Sequence, residues 1–137
     1  MSVADLPADL AEDAVALWRD VGLTRPWNDP VADLRRALAG PSSTVLALTD
    51  GGSLLGTAMV GYDGHRGWLY YLAVQPHLQG QGLGLELLRA CEQWLRERDV
   101  PKLQLMVRTS NAGVRAFYEG LGYADAEVIV LGRRLDG

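Results

Sequence analysis

Apolar residues recur every three or four positions through the first forty residues, which is the spacing of helices with one buried face. The first such stretch covers residues 7–21. The second begins where Asp29 and Pro30 have the order of a helix cap followed by proline at the first helical position, and it stops at Gly40. The pattern therefore predicts two helices ahead of the main strands.

After these helices the period changes to that of β-strands. Asp50, Gly51 and Gly52 form a turn signal between two short apolar runs, which predicts an antiparallel hairpin. The runs that predict strands are 44–48, 54–60, 68–74, 102–107 and 127–131.

Two more helices alternate with the last three predicted strands. The third helix follows the glycines at 80, 82 and 84, and its apolar stripe lies within residues 87–95. The fourth helix begins after Asn111, and Gly122 stands where a left-handed residue commonly ends a helix. The resulting order, ααβββαβαβ, predicts one α/β unit.

Length and composition predict a single domain over residues 1–137, because 48% of the residues are apolar and can fill one core. The chain has no apolar run of about 18 residues and no basic leader, so we expect a cytoplasmic protein without a membrane partner. The net charge of −4 argues against nucleic acid as a partner. The single cysteine, Cys91, is expected to be a small buried hydrophobe.

The connection between the third strand and the third helix is rich in glycine and reads Gln-Gly-Gln-Gly-Leu-Gly at 79–84. Glycines let a backbone approach a ligand closely, and the first amides of a helix favour phosphate oxygens, so the segment predicts an anion cradle. The alternative is a tight turn without a ligand. A P-loop is excluded because Leu85 and Glu86 follow the last glycine, and Leu85 also breaks the dinucleotide-binding pattern.

Two motifs in this order resemble the GNAT superfamily of N-acetyltransferases. The pattern Gln-x-x-Gly-x-Gly at 79–84 is similar to its pyrophosphate-binding motif, and Asn111 to Tyr118 followed by Gly122-Tyr123 is similar to its second signature. The resemblance covers residues 43–134, and segments 25–30 and 61–67 resemble the small bacterial YpeA-like branch. It implies an α/β (α+β) fold with a mixed, mainly antiparallel sheet flanked by about four helices. The superfamily also opens with a strand, for which residues 1–6 offer at most a very short one.

The resemblance further implies acetyl-coenzyme A as cosubstrate, no metal, and a set of site residues. The backbone of Leu72 and Val74 would pair with the pantetheine arm, to which Asn111 would also hydrogen-bond. Tyr118 would act as the general acid that protonates the departing thiolate. The residues expected to wrap the pyrophosphate are Gln79, Gly80, Gln81, Gly82 and Gly84.

General chemistry supports the role of Tyr118 separately from the resemblance. A thiolate that leaves a thioester needs a proton, and a phenol with an ordinary pKa of about 10 stays protonated at neutral pH. The competing interpretation is that Tyr118 is a core residue on an apolar helix face with Val114, Phe117 and Leu121.

The sequence assigns no base to deprotonate the attacking amine. Many family members use a glutamate on the central strand, but residues 68–74 contain no carboxylate, and Tyr70 and Tyr71 occupy the corresponding positions. His65 is a candidate because imidazole titrates near neutral pH. Asp29 is another, in competition with its role as a helix cap.

Four residues are candidate contacts for the acceptor: Trp27, Asn28, His65 and Tyr70. In the resembling fold, the connection that contains Trp27 and Asn28 forms one wall of the acceptor pocket. The tryptophan could bind a substrate side chain or fill the core from the loop.

We therefore expect an N-acetyltransferase in which a primary amine attacks acetyl-coenzyme A directly in a ternary complex. The acceptor would be a small-molecule amine, an amino acid, or a peptide or protein amine, and the protein would be a monomer or a homodimer. One alternative is a noncatalytic acyl-coenzyme A sensor or partner-binding module on the same fold. Another is an α/β domain without a nucleotide ligand.

Overall fold

The computed structural model of the protein describes residues 1–136. The chain divides into two compact units, one formed by residues 1–105 and the other beginning at Met106. The first unit contains every strand found in residues 1–136, together with three helices, and the second contains one helix.

The first unit is built on a mixed sheet of five strands in the order β1-β2-β3-β4-β5. The pairs β1–β2, β2–β3 and β3–β4 are antiparallel, whereas β5 runs parallel to β4. The mainly antiparallel sheet is therefore confirmed, and the opening strand exists with only four residues. The strands are β1 Ser2–Asp5, β2 Ser43–Asp50, β3 Ser53–Tyr62, β4 Gly67–Val74 and β5 Leu103–Leu105.

The four predicted helices are present. They are α1 Ala11–Asp20, preceded by a 3-10 turn, α2 Pro30–Ala39, α3 Leu83–Arg96 and α4 Ala112–Gly120. The side chain of Asp29 caps α2 by accepting the amides of Val31 and Ala32 at 3.1 Å each, as the sequence predicted. Helix α3 begins two residues earlier than expected, so Gly84 lies in its first turn.

Helices α1 and α3 cover opposite faces of the sheet. A Cβ built on Gly56 of β3 would meet Leu87 of α3, whereas the next residue, Thr57, bonds to Trp18 of α1. Successive residues of a strand point to opposite faces, so the two helices lie on different sides. On the α3 side, Cys91 is fully buried, and burial, with a smaller contribution from the charge of Glu92, raises the pKa of its thiol to about 12. Its prediction as a buried hydrophobe is confirmed.

The predicted final strand at 127–131 is wrong. These residues pair with no strand among residues 1–136, and the side chains at 128–131 are 65% to 86% exposed. The amide of Glu127 donates to Asp125 Oδ1 at 2.8 Å and Glu127 has a φ of 57°, so a turn occupies the start of the segment. β-Branched residues favour a strand only where another strand supplies hydrogen bonds, which local sequence does not report. Strand β5 is likewise shorter than the predicted 102–107.

Candidate functional site

Strand β4 has one fully paired half and one half with an open edge. Its first three residues, 67–69, pair with β3 on one side and with β5 on the other. Tyr70, Ala73 and Val74 keep β3 as a partner, but on the opposite edge no strand of residues 1–136 pairs with residues 70–74. The edge beyond Leu69 is therefore available to an extended ligand.

The backbone of Leu72 and Val74 is directed towards this open edge. The amide of Gln75 donates to the carbonyl of Leu55 in β3 at 2.9 Å, and backbone groups alternate in direction along a strand. Leu72 and Val74 therefore point their amides and carbonyls away from β3. The Val74 carbonyl already accepts a hydrogen bond from Gln79 Nε2 at 3.2 Å, which ties the following loop to the strand end.

The glycine-rich loop has backbone amides without internal acceptors. Gly80 and Gly82 have φ angles of 81° and 82°, a left-handed conformation that glycine adopts without steric cost. Gly82 is the N-cap of α3, and no side chain caps that helix. Within residues 1–136, the amides of residues 80–85 donate no hydrogen bond. Such a run of free amides at a helix start fits a diphosphate.

The neighbouring Tyr70 and Tyr71 differ in what they can do. Tyr71 has a φ of 51°, its ring stacks on Trp18, and its phenol donates to Asp33 Oδ2 at 2.7 Å. Tyr70 is 43% exposed, and its phenol makes no hydrogen bond within the described part of the chain. Burial, followed by the charge of Asp63, raises the pKa of Tyr70. Only Tyr70 is therefore available to a ligand.

The connection between α1 and α2 leaves Trp27 at the surface. Its side chain is 55% exposed, so it does not fill the core, which was one of the two predicted possibilities. The amide of Asn28 donates to the Arg25 carbonyl at 3.0 Å, and Asn28 itself is exposed. Because the carboxylate of Asp29 is occupied as a helix cap, it is less suited to act as a base.

The turn before β4 is organised by Asp63 and leaves His65 exposed. Asp63 Oδ1 accepts the amides of His65 and Arg66 at 2.8 Å each, and Oδ2 accepts Trp68 Nε1 at 3.2 Å. These hydrogen bonds, first from Arg66, then from His65 and Trp68, lower the pKa of Asp63 to about 2. His65 Nδ1 lies 3.4 Å from Arg66 Nη1. The carboxylate of Asp63 therefore stabilises the turn, and His65 is an exposed residue within it.

The second unit contains the remaining predicted site residues, Asn111 and Tyr118. Asn111 Oδ1 caps α4 by accepting the Val114 amide at 3.2 Å, which leaves its NH₂ group as a donor. Tyr118 is 8% exposed and makes edge-to-face contacts with Phe117 and Tyr123, with centroids 5.2 and 5.8 Å away. It is the only buried residue of α4, since Val114 and Phe117 of the predicted stripe are exposed.

Comparison with known protein families identifies the family to which this chain belongs. The Acetyltransferase (GNAT) family model matches residues 9–123, which is most of the chain. The chain belongs to the GNAT acetyltransferase family. It is a GNAT-type N-acetyltransferase, as its two motifs indicated.

Solved structures share the fold over nearly the whole chain. The ribosomal-protein-S18-alanine N-acetyltransferase from Escherichia coli is 27% identical with a TM-score of 0.77, covering 91% of this chain and 78% of that one. The aminoglycoside 6'-N-acetyltransferase AAC(6')-IG from Acinetobacter haemolyticus is 15% identical with a TM-score of 0.77, covering 99% and 100%. AAC(6')-Iy, solved with the bisubstrate analog CoA-S-monomethyl-acetylneamine, is 15% identical with a TM-score of 0.81, covering 97% of both chains. The GNAT fold expected from the sequence is confirmed.

Sequence reasoning about this GNAT protein missed Asp33 and underestimated Trp18. Trp18 lies in the stretch 7–21 that predicts the first helix, and its Nε1 also donates to Thr57 Oγ1 at 2.8 Å. Asp33 follows its cap by one helical turn and has no motif around it. Its partner Tyr71 lies 38 residues away, so no local pattern could have joined them.

Two further properties of this GNAT chain concern metal ions and membranes. Residues 1–136 bring no group of three or more His, Cys, Asp or Glu side chains together as a metal site. None of the helices in the same part of the chain has the length and apolar character that a membrane crossing requires.

Proposed function

We propose that the protein transfers an acetyl group from acetyl-coenzyme A to a primary amine by direct attack in a ternary complex. The observation that carries this proposal is the run of backbone amides at residues 80–85 without internal acceptors, next to the open edge of β4. Within a family of acetyltransferases, that combination suits a long ligand with a diphosphate at one end and an extended amide chain.

The residues present fit coenzyme A at both of these positions. A Cβ built on Gly80 or Gly82 would meet no atom within 4 Å, so the loop has open space beside the α-carbons of both glycines. The pyrophosphate would lie against Gln79, Gly80, Gln81, Gly82 and Gly84, and the pantetheine would pair with Leu72 and Val74. The Val74 carbonyl is already bonded to Gln79, so Leu72 and the Val74 amide are the groups we expect to pair. The NH₂ group of Asn111 would be a further donor.

Acetyl transfer requires that the leaving sulfur receive one proton. The thioester supplies an activated acetyl group, the amine nitrogen bonds to its carbonyl carbon and releases one proton to solvent, and the carbon–sulfur bond breaks. We assign the proton that the sulfur receives to the Tyr118 phenol, because a buried tyrosine keeps its proton at neutral pH. We further propose that residues 1–137 act as one domain.

The acceptor is proposed to be a primary amine on a small molecule, an amino acid or a peptide. The solved relatives include enzymes named for a ribosomal-protein alanine and for aminoglycosides, which are both amine acceptors. Trp27, Asn28, His65 and Tyr70 are the contacts we propose for it, since all four side chains are exposed. We also propose a cytoplasmic protein of the YpeA-like branch, working as a monomer or a homodimer.

The proposal is tested by measuring coenzyme A release with acetyl-coenzyme A and a panel of acceptors, including an alanine-terminated peptide, free amino acids and an aminoglycoside. Tyr118→Phe is expected to lower kcat by about ten-fold or more with little change in acetyl-coenzyme A affinity, because only proton donation is lost. Tyr123→Phe is the matched control, since it removes a phenol beside the same ring. An unchanged rate in Tyr118→Phe would refute the acid role.

A noncatalytic acyl-coenzyme A sensor is the second candidate, and one observation favours it. Residues 70–74 beside the open edge contain no carboxylate, and the candidate base Asp29 is used as a helix cap. This candidate predicts tight acetyl-coenzyme A binding, seen as a raised unfolding temperature, with no turnover of any amine. A domain without a nucleotide ligand predicts no rise in unfolding temperature.

A further inference from the structure

Between two positions at which the strands pair, β4 contains one residue more than β3. Met59 of β3 lies opposite Tyr70 and Thr57 lies opposite Ala73, so two steps along β3 face three steps along β4. The extra residue creates a β-bulge around Tyr71, and a bulge changes the direction of the residues beside it.

Tyr71 in this bulge has an unfavourable backbone conformation. Its φ of 51° lies in the left-handed region, where an aromatic L-residue is sterically strained. A strained conformation persists only where surrounding contacts hold it in place. The fold must therefore supply those contacts.

Three elements hold Tyr71. Its ring stacks on Trp18 of α1, with centroids 4.0 Å apart and an interplanar angle of 16°. Its carbonyl accepts a hydrogen bond from Thr57 Oγ1 of β3 at 3.0 Å. The same Thr57 hydroxyl accepts a hydrogen bond from Trp18 Nε1 at 2.8 Å. Its phenol donates to Asp33 Oδ2 of α2 at 2.7 Å. We call Trp18, Asp33, Thr57 and Tyr71 the Tyr71 clamp.

The Tyr71 clamp lies where β4 changes from paired to open. Leu69 is the last residue of β4 that pairs with β5. On one side of Tyr71 is Tyr70, with its free phenol, and on the other is Leu72, with its backbone directed to the open edge. Because both are bonded directly to Tyr71, the conformation of the bulge sets the direction of both.

We propose that Asp33 is a positioning residue for acetyl transfer: through the Tyr71 phenol it fixes the bulge and so aligns Tyr70 with the Leu72 backbone. The inference rests on the proposed function, in which the thioester end of acetyl-coenzyme A lies along the open edge of β4. Asp33 contacts no reacting group in this role and acts only through Tyr71.

The chemistry of Tyr71 agrees with a structural donor. Burial, followed by the hydrogen bond to Asp33 and its charge, raises the pKa of Tyr71 well above its usual range. The phenol therefore remains protonated at working pH and keeps donating to Asp33. It does not supply the base that β4 lacks.

The test compares three substitutions at the hydrogen bond between Tyr71 and Asp33 Oδ2. Asp33 Oδ1 also accepts from Arg36 Nη2 at 2.8 Å, a bond that Asp33→Ala removes and Tyr71→Phe leaves intact. Tyr71→Phe keeps the stacked ring, Asp33→Ala removes the acceptor, and Asp33→Asn retains an oxygen that accepts from a phenol. With acetyl-coenzyme A and the fastest amine of the panel, we expect the first two to lower kcat about ten-fold, with KM for acetyl-coenzyme A changed less than about two-fold. Asp33→Asn should recover most of kcat. The double variant Asp33→Ala with Tyr71→Phe should be no slower than either single one, because both remove the same bond.

A matched pair elsewhere in the sheet controls for simple loss of stability. Thr44 Oγ1 donates to Asp5 Oδ1 at 2.7 Å, which is also a hydroxyl-to-carboxylate bond, and it joins β2 to β1 at the other edge of the sheet. Thr44→Val and Asp5→Ala should reduce the unfolding temperature without reducing kcat. All rates are compared at a temperature at which each variant is folded.

A second measurement does not depend on activity. In spectra of ¹⁵N-labelled protein without ligand, Asp33→Ala and Tyr71→Phe should shift the amide resonances of Tyr70 and Leu72, whereas Thr44→Val should not. Unchanged resonances, or a kcat equal to that of the Thr44 and Asp5 controls, would overturn the positioning role. If wild type turns over no amine, the proposed function fails by itself, and the resonances alone decide whether Asp33 positions the bulge.

Discussion

The two halves of β4 have different surroundings and different tasks. Residues 67–69 are paired on both edges, and a Cβ on Gly67 would come within 2.5 Å of Leu95, so α3 packs directly on this half. Residues 70–74 are paired on one edge, contain the bulge, and lead to a loop with unbonded amides. The first half has no space for a ligand, whereas the second has free backbone and an exposed phenol.

This difference separates stability from ligand binding along a single strand. Close packing and complete pairing in the first half make its substitutions costly to folding. In the second half, backbone groups left without partners are a cost to the free protein that a bound ligand would remove. Substitutions near the two ends should therefore be distinguished by which measurement changes, the free energy of unfolding or the affinity for acetyl-coenzyme A.

The largest contrast is expected between two left-handed glycines at opposite ends of β4. Gly64 precedes the first half with a φ of 91°, Gly82 follows the second with a φ of 82°, and both have open space where a side chain would be. Alanine at either position should reduce the free energy of unfolding by about 1–2 kcal/mol, because an L-residue is strained there. Only Gly82→Ala should also weaken acetyl-coenzyme A binding, by about ten-fold, since it disturbs the free amides.

Titration calorimetry and urea unfolding of both variants check this contrast. Gly64→Ala provides the control, because it has the same backbone strain without a proposed ligand. Equal affinities in the two variants would show that the 79–84 loop does not hold the diphosphate.

Much of the fold, and the glycine-rich loop after β4, could be predicted from the sequence because they depend on residues that are close together in the chain. The cap at Asp29 and the turn at Asp50 to Gly52 each use residues next to one another, and the helices and strands they predict are present. The glycine-rich loop was found for the same reason, since Gly80 and Gly82 are needed for its local backbone angles. Local patterns thus located the loop that we propose as the ligand site.

The features that sequence did not predict are those that require partners distant in the chain. The bulge at Tyr71 depends on Trp18 and Asp33, which are 53 and 38 residues away by residue number. Residues 127–131 have strand-forming side chains, but a strand also needs a neighbour, and none is present among residues 1–136. The open edge of β4 arises in the same way, from where β5 stops.

A smaller effect is expected from the glutamine that ties the loop to β4. Gln79 Nε2 donates to the Val74 carbonyl at 3.2 Å, and Gln75 Nε2 donates to the Leu54 carbonyl at the same distance. Each bond should contribute about 1 kcal/mol, so Gln79→Ala is expected to raise the Kd of acetyl-coenzyme A about five-fold by releasing the loop. Gln75→Ala should leave that Kd unchanged and lower only stability. Equal Kd values for the two variants would contradict this role of Gln79.

The smallest effect concerns the turn that precedes the first half of β4, and it depends on pH. Asp63 has a pKa of about 2 in the folded protein against an ordinary value of 3.8, so its carboxylate stabilises the fold above about pH 4 and this contribution is lost as the pH falls through about 2. Asp63→Asn should therefore lower the unfolding temperature slightly at neutral pH, and the difference from wild type should shrink between about pH 4 and 2. Calorimetric scans across that range measure it.

Acetyl-coenzyme A affinity at neutral pH should stay at the wild-type value, because Asp63 serves the paired half of the strand. A loss of affinity in Asp63→Asn would mean that the two halves are coupled.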